Sequence, residues 1–284
     1  LEILPNGCAE VPPEEDFKAA GQLTGVAKPS SQYGRKRGGP GSMKISIVVP
    51  AFNEAKLIAA TLRGIQRAAA AAFAPMGWEV ETIVCDNNST DATAQLAQSG
   101  GARVVFEPIN QIARARNTGA AAAVGDWLLF IDADSRPTPE LLAEVAQQIQ
   151  SGCCLAGGST VVMDHRHWLG DGATGLWNMI SRLRKWMAGS FIFCETAAFR
   201  KIGGFNLELF ASEELDLSIR LKKVARQTGK TIVILHRHPL LTSGRKVRLY
   251  SPAEWGRFAL KAVLSPRRTV TSREACGPWY DGRR

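Results

Sequence analysis

From Lys44 to Ile131, short apolar runs alternate with helical stretches, and this alternation limits the possible folds more than any other property of the chain. Ile45–Pro50, Val80–Cys85, Ala102–Phe106 and Trp127–Ile131 read as strands, with helices at Ala55–Ala72, Ala92–Ser99 and Ile112–Val124 between them. A strand apolar along nearly its whole length, such as Ile45-Ser46-Ile47-Val48-Val49-Pro50, suits a parallel sheet covered on both faces. Strand–helix–strand crossovers are right-handed, so the series predicts an α/β fold with a doubly wound, mostly parallel sheet and helices on both faces. Beyond Pro139 the alternation loosens. Helices are expected at Glu140–Gln150, Asp171–Met187, Thr196–Lys201 and Glu213–Arg226, and strands at Ala156–Met163, Phe191–Cys194 and Thr231–Leu235. Residues 1–42, rich in Pro, Gly and charge and without sustained periodicity, read as a flexible extension ahead of a natural start at Met43.

Composition narrows the partners. Of 284 residues, 45% are hydrophobic and 21% charged, the balance of an ordinary globular protein. No apolar run approaches the ~20 residues of a membrane-spanning helix, and no signal-peptide pattern opens the chain, so a cytoplasmic location is expected. Cysteines at 8, 85, 153, 154, 194 and 276 show neither Cys-x-x-Cys spacing nor a nearby His, which argues against a zinc set and for reduced, structural thiols. The net charge of +9 is uneven: from Arg245 to Arg284, ten Lys/Arg face only Glu254, Glu274 and Asp281. Nucleic acid and anionic lipid both suit such an excess. No nucleic-acid-binding module is visible, so no nucleic-acid partner is expected; a peripheral contact with an anionic membrane, or a pyrophosphate, is the more economical one. Pro252–Leu264, with Trp255, Phe258, Leu260, Val263 and Leu264 among basic residues, reads as a helix lying on the domain or on that membrane.

Acidic residues recur where the strands end. Phe130-Ile131-Asp132-Ala133-Asp134 closes a strand with two carboxylates one residue apart, which an extended chain points the same way. Two hard oxygen donors at that edge suit a divalent cation holding a diphosphate, although Asp-x-Asp ahead of Pro137 and Pro139 also describes a turn with a helix cap. Pro50–Glu54 and Asp86–Asp91 follow the first two strands, and in a doubly wound sheet all three ends face one crevice. Asp86 there can accept from a nucleobase N–H. Ser89, Thr90 and Asp91 equally suit helix capping, and Asn53 and Glu54 a turn entering a helix.

In order and spacing, Ile47-Val48-Val49-Pro50-Ala51-Phe52-Asn53-Glu54, Asp86-Asn87-Asn88-Ser89-Thr90-Asp91 and Asp132-Ala133-Asp134 together resemble glycosyltransferase family 2. Phe199–Phe205 is similar to the family's "aF…GGF" segment, and Ser212-Glu213-Glu214-Leu215-Asp216-Leu217 to its "E-D-x-D-L" segment; the likeness runs from about Lys44 to Leu249. The resemblance implies a GT-A fold, with a nucleotide-sugar-binding half at 43–139, an acceptor-binding half at 140–250 and a basic tail at 251–284. It also implies an inverting transferase using a nucleotide-diphosphate sugar and a divalent metal, Mn2+ or Mg2+. On that reading Pro50, Ala51, Asn53, Glu54 and Asp86 hold the base and ribose. Asp132, next to Ala133, contacts ribose or metal, and Asp134 ligates the metal. Arg114 is a candidate phosphate or nucleoside contact, with an exposed helical Arg as the alternative. His236, with His238 as alternate, is a candidate metal ligand at a strand end, and Arg245 and Lys246 are candidates to close over the diphosphate. Where the family often carries a second Asp, Asn87 brings an uncharged amide.

Inverting transfer needs a base for the acceptor hydroxyl and a stabiliser for the departing diphosphate. Glu214 falls where the family carries its catalytic Asp and is the first candidate, with Asp216 the second; capping the helix N-terminus is the plainer role for these acids. The acceptor is expected to be a hydroxyl, lipid-linked or on a surface glycan. A nucleotidyltransferase of similar fold and a catalytically silent nucleotide-sugar-binding module are the competing readings. The first of these lacks a Gly-rich phosphate loop near Pro50.

Overall fold

A computed structural model describes residues 42–164, 168–245, 249, 254, 256–257, 265–276 and 280. The extension at 1–41, Lys246 and most of the helix expected at 252–264 lie outside the described residues. By contacts the chain divides into Leu1–Ser42 and Met43–Arg284. Within the second unit the strands are β1 (Lys44–Ala51), β2 (Glu79–Asp86), β3 (Arg103–Phe106), β4 (Trp127–Ile131), β5 (Ser135–Arg136), β6 (Cys154–Met163), β7 (Phe191–Glu195) and β8 (Thr231–Thr242). The helices are α1 (Ile58–Phe73), α2 (Thr93–Ser99), α3 (Ile112–Ala122), α4 (Pro139–Ser151), α5 (Trp168–Arg184), α6 (Thr196–Lys201), α7 (Glu213–Thr228) and α8 (Pro266–Thr271).

The strands form one sheet in the order β3-β2-β1-β4-β7-β6-β8-β5. β3, β2, β1 and β4 are mutually parallel, β7 runs antiparallel to both β4 and β6, and β6 and β8 pair in parallel. Alternation along each strand supplies both faces with apolar side chains. Ile45, Ile47 and Val49 of β1 and Trp127, Leu129 and Ile131 of β4 pack with α1 and α4. Val48, Leu128 and Phe130 point the other way, against α3, α6 and α7. Phe130 meets Phe199 and Phe205 at ring-centroid distances of 5.3 and 5.2 Å, a cluster that seats the Gly203-Gly204-Phe205 turn on the sheet. α3 lies close on the sheet because a Cβ at Gly119 would collide with Val48.

Two elements differ from expectation for identifiable reasons. β8 continues to Thr242, because its partner β6 resumes pairing after a break. Ser159 stands opposite Leu235 and Val161 opposite Leu240, so His236–Pro239 bulge out against Thr160 alone. α1 starts at Ile58, since Leu57 and Ile58 N–H both donate to Glu54 O and Ala55–Leu57 form a turn. Cys85, Cys154, Cys194 and Cys276 are buried free thiols as expected, whereas Cys153 is disulfide-bonded.

Candidate active site

The C-terminal ends of β1 and β4 open onto a cleft lined by Pro50, Ala51, Phe52 and Glu54 on one side and Asp132, Ala133 and Asp134 on the other, with Asn87, Ile112 and Tyr280 among its remaining walls. The Pro50–Glu54 wall is held by hydrogen bonds between the turns that follow β1 and β2. Asn53, at φ 52°, accepts from Thr90 N–H at 2.8 Å. Its own N–H donates to Ser89 Oγ at 2.9 Å, and Glu54 N–H donates to Thr93 Oγ1 at 2.8 Å. Asp91 accepts from Ala55 and Thr93 N–H, which fixes the start of α2. Asn53 is therefore the clamp that shapes this wall, while its neighbours Phe52 and Glu54 face the cleft.

Asp132 and Asp134 converge through a turn, with Ser135 N–H donating to Asp132 O at 3.0 Å, rather than through continued strand alternation. Thr61 Oγ1 of α1 donates to Ala133 O at 2.7 Å and pins the turn from below. Asp134 also borders a smaller hollow with Asp164 and Ser243, where Asp164 accepts from Gly244 N–H at 2.9 Å. Arg245 closes this side: its Nη2 reaches both oxygens of Glu54, at 2.7 and 2.9 Å, at the cleft rim. It is thus engaged by a carboxylate of the opposite wall.

Behind Asp132 lies a buried ion cluster centred on Arg116. Its guanidinium donates to Asp132 at 3.1 Å, to Glu213 at 2.7 Å and to Gly189 O at 2.7 Å, and it sits 5.2 Å from the Phe205 ring centroid. Burial opposes the Arg116 cation, but the charges of Asp132, Glu213 and Glu214 outweigh it and raise its pKa. Glu214 joins the same cluster. A Cβ added at Gly189 would lie 3.3 Å from Arg116 Nη2 and 3.6 Å from Glu214 Cδ, so both groups gather at this one backbone position. Burial first, and then the Glu213 charge, push the Glu214 carboxyl up to about 8 against the pull of Arg116. A carboxyl poised there can exchange a proton near neutral pH.

The structure sorts the other candidates. Asp86, although at the end of β2, is buried and accepts from Ser89 N–H at 3.3 Å; the cleft wall at that point is Asn87. Asn87 Oδ1 accepts from Gln111 N–H at 2.9 Å and its amide donates to Ile109 O at 2.7 Å, which ties the wall to the entry of α3. Arg114 bonds Gln111 Oε1 at 3.1 Å and is not in the cleft wall. Asp216 is taken by Arg220, one helical turn on, at 2.6 Å, and does not join the Arg116 cluster. His236 is exposed in the β8 bulge, with Nδ1 at 3.5 Å from Ile234 O, and His238 pairs with Glu144 of α4 at 2.5 Å. Neither completes a metal site beside Asp134, because β8 runs on and brings Thr242 and Ser243 there instead. Lys246 lies outside the described residues.

Arg116 and Tyr280 are the groups that sequence reasoning passed over. Ala113, Arg116 and Ala120 follow helical spacing on the buried face of α3, a pattern that sets Arg116 inward and Arg114 outward. Tyr280 has no local signal. It comes from 168 positions along the chain to accept from Ile112 N–H at 3.4 Å, with its ring edge-on to Phe210 at 5.5 Å. Burial and then the Glu213 charge raise its pKa, so the phenol stays protonated.

The donors of this site suit a cation shared with a ligand. Among the described residues no group of three or more His, Cys, Asp or Glu could hold a metal by itself. Two carboxylates on one cleft wall are nevertheless a set that Mg2+ or Mn2+ uses when phosphate oxygens and water fill the remaining positions.

An acid-edged crevice at the carboxyl ends of parallel strands, backed by a mixed second half, defines a GT-A type α/β protein. The chain belongs to glycosyl transferase family 2, whose profile matches residues 46–201, more than half of its length. It is 31% identical over 140 residues to an uncharacterised glycosyltransferase of Mycobacterium bovis, covering 49% of this chain and 59% of that one. It is 30% identical over 121 residues to an undecaprenyl-phosphate 4-deoxy-4-formamido-L-arabinose transferase of Pseudomonas fluorescens, covering 40% and 34%. The chain therefore spans less than two thirds of these relatives' length. Among solved structures, glucosyl-3-phosphoglycerate synthase of Mycobacterium tuberculosis with Mn2+, uridine-diphosphate and phosphoglyceric acid superposes with a TM-score of 0.57 at 21% identity, over 81% of this chain and 80% of that one. S. aureus TarS 1-349 with UDP-GlcNAc gives 0.55 at 19% identity, over 83% and 69%. At that identity the two structures bear on the fold.

Proposed function

We propose that this protein transfers a sugar, with inversion, from a UDP- or GDP-linked donor to a hydroxyl acceptor, in a reaction that depends on Mn2+ or Mg2+. The observation that carries the reading is the single cleft lined by Pro50, Ala51, Phe52 and Glu54 together with Asp132–Asp134, with the Glu214 carboxyl in the charge cluster of Arg116 behind Asp132. The family membership supports the reaction class. The UDP and metal ions in the glucosyl-3-phosphoglycerate synthase structures support the donor and cofactor.

In this account the Pro50–Phe52 wall, Asn87 and Tyr280 hold the nucleoside. Asp132, oriented by Arg116, takes the ribose, and Asp134 with Asp132 would hold the cation. That cation, when bound, neutralises charge on the leaving group as a Lewis acid. Glu214 accepts the acceptor hydroxyl's proton as its oxygen forms the new bond to the anomeric carbon. The bond from that carbon to the diphosphate oxygen breaks, and the diphosphate leaves with the electron pair. Backside attack in one displacement inverts the anomeric centre. Arg245, parked on Glu54, is available to clamp the diphosphate when the donor arrives.

A lipid-linked or surface-glycan acceptor and a cytoplasmic, peripheral membrane location accord with the undecaprenyl-phosphate-linked relative and the basic C-terminal stretch. No helix among the described residues is long and apolar enough to cross a membrane.

The test is Asp134→Asn. Removing that charge should abolish Mn2+-stimulated donor hydrolysis or transfer and erase the effect of Mn2+ on UDP affinity, read by calorimetry. Metal-dependent activity at the wild-type level would remove this site from the proposal. Tyr280→Phe should bind UDP nearly as the wild type does, whereas Tyr280→Ala should weaken UDP binding about ten-fold, the order of one lost aromatic contact. Unchanged affinity in Tyr280→Ala would take the tyrosine out of the nucleoside wall.

A further inference from the structure

Helix α5 presents an apolar stripe that the fold does not use. Leu176, Met179 and Leu183 recur at spacings of three and four residues, so they share one face, and they are 56%, 54% and 76% exposed. The opposite face is docked: Asn178 exchanges hydrogen bonds of 3.0 and 2.9 Å with the Val161 backbone, and Ser181 is fully buried. The exposure therefore belongs to a helix fixed in place.

Cations surround one end of the stripe. Arg182 and Arg184 flank Leu183, Lys185 follows, and all three are exposed. α7 adds Lys222 and Arg226, with Lys222 Nζ donating to Arg184 O. Burial, and then the like charges of Arg226, Lys185 and Arg184, lower the Lys222 pKa, which places these four cations within electrostatic reach of one another. Gathering like charges costs free energy that anionic partners would offset. A leucine–methionine stripe ending in such a cluster has the pattern of a helix lying in a lipid interface.

We propose that α5 docks this protein on an anionic lipid surface, with Leu176, Met179 and Leu183 entering the boundary between headgroups and acyl chains while the α5 and α7 cations meet lipid phosphates. Docking there has a consequence for catalysis, which rests on the transferase reading whereas the docking itself does not. α5 leads within five residues to Gly189, beside Glu214, and Lys222 follows Glu214 by eight residues on α7, roughly 12 Å along a helix. An acceptor held in the headgroup layer would thus be presented to the proposed base.

Co-sedimentation of the full chain with vesicles tests this, using phosphatidylcholine alone and an equal mixture with phosphatidylglycerol. The wild type should bind the anionic vesicles preferentially. Met179→Asp/Leu183→Asp and Arg182→Glu/Arg184→Glu/Lys185→Glu should each lower the partition about ten-fold or more, and Arg283→Glu/Arg284→Glu should retain most of it. Wild-type protein that binds neither vesicle, or binds both equally, overturns the proposal. So does loss of binding in the Arg283/Arg284 variant with none in the α5 variants. A concentration-dependent dimer that the Met179/Leu183 variant dissolves, without vesicle binding by the wild type, would also overturn it by assigning the stripe to a second copy. UDP affinity measured on the same variants in solution should be unchanged, which separates a failed docking surface from a failed nucleotide site.

Discussion

Glu214→Gln is expected to lower glycosyl transfer by about 10² to 10⁴, the range a positioned general base supplies, while leaving donor affinity within about two-fold. The amide keeps the shape of the side chain and removes its capacity to take a proton. The pH profile is the sharper signature. Glu214 faces Glu213, Arg116 and Asp132, and burial with the Glu213 charge carries its carboxyl from the ordinary 4.5 to about 8. A base works deprotonated, so turnover should rise roughly ten-fold per pH unit below about 8 and level off above it; the Gln variant should lose that slope. Linkage adds a second readout. The unfolded chain gives up the Glu214 proton near 4.5 and the folded one near 8, so the stability due to this proton is fully present below 4.5 and is lost as pH rises to about 8. Across that window Glu214→Gln should melt progressively higher relative to the wild type. If donor binding collapses in the variant, Glu214 is a ligand contact and not the base. Asp216→Asn should be nearly silent in transfer, because Arg220 already occupies that carboxylate.

Arg116→Met should produce the largest loss of stability, about 3–5 kcal/mol, because it strands buried Glu213 without a counter-charge. The same substitution frees Asp132 from its orienting guanidinium, so donor affinity should fall as well. Arg116→Met/Glu213→Leu separates the two effects. Replacing both charges by apolar groups should recover most of the stability, since buried pairs are commonly matched by apolar replacements, yet nucleotide binding should stay weak because Asp132 remains untethered. Thermal unfolding of the single variant at the wild-type temperature would show that the cluster does not hold β4, α3 and α7 together.

The parts of this protein legible in its sequence are those where burial writes itself into a short run. β1 and β4 are apolar along almost their whole length because helices cover both faces, and the acids that follow them mark the sheet edge where ligands sit. β8 was harder to read. His236-Arg237-His238-Pro239 interrupts the apolar run because the strand bulges there, so a strand that continues to Thr242 resembles one that ends at Leu235. His236, expected at that apparent end, sits exposed within the bulge. Pairings between distant positions leave no local trace: Arg116 with Glu213, Glu54 with Arg245, and Ile112 with Tyr280 are separated by 97, 191 and 168 positions. Asp86 is a strand-end carboxylate in the expected place whose Oδ1 also accepts from Ser89 N–H of its own turn, a local bond the sequence does not display.

A crystal structure with UDP and Mn2+ tests the central claim most directly. The account predicts the uracil and ribose against Pro50–Phe52, Asn87 and Tyr280, and Mn2+ ligated by the Asp134 carboxylate. UDP bound elsewhere on the protein, or a cleft left empty at saturating UDP and Mn2+, would contradict it.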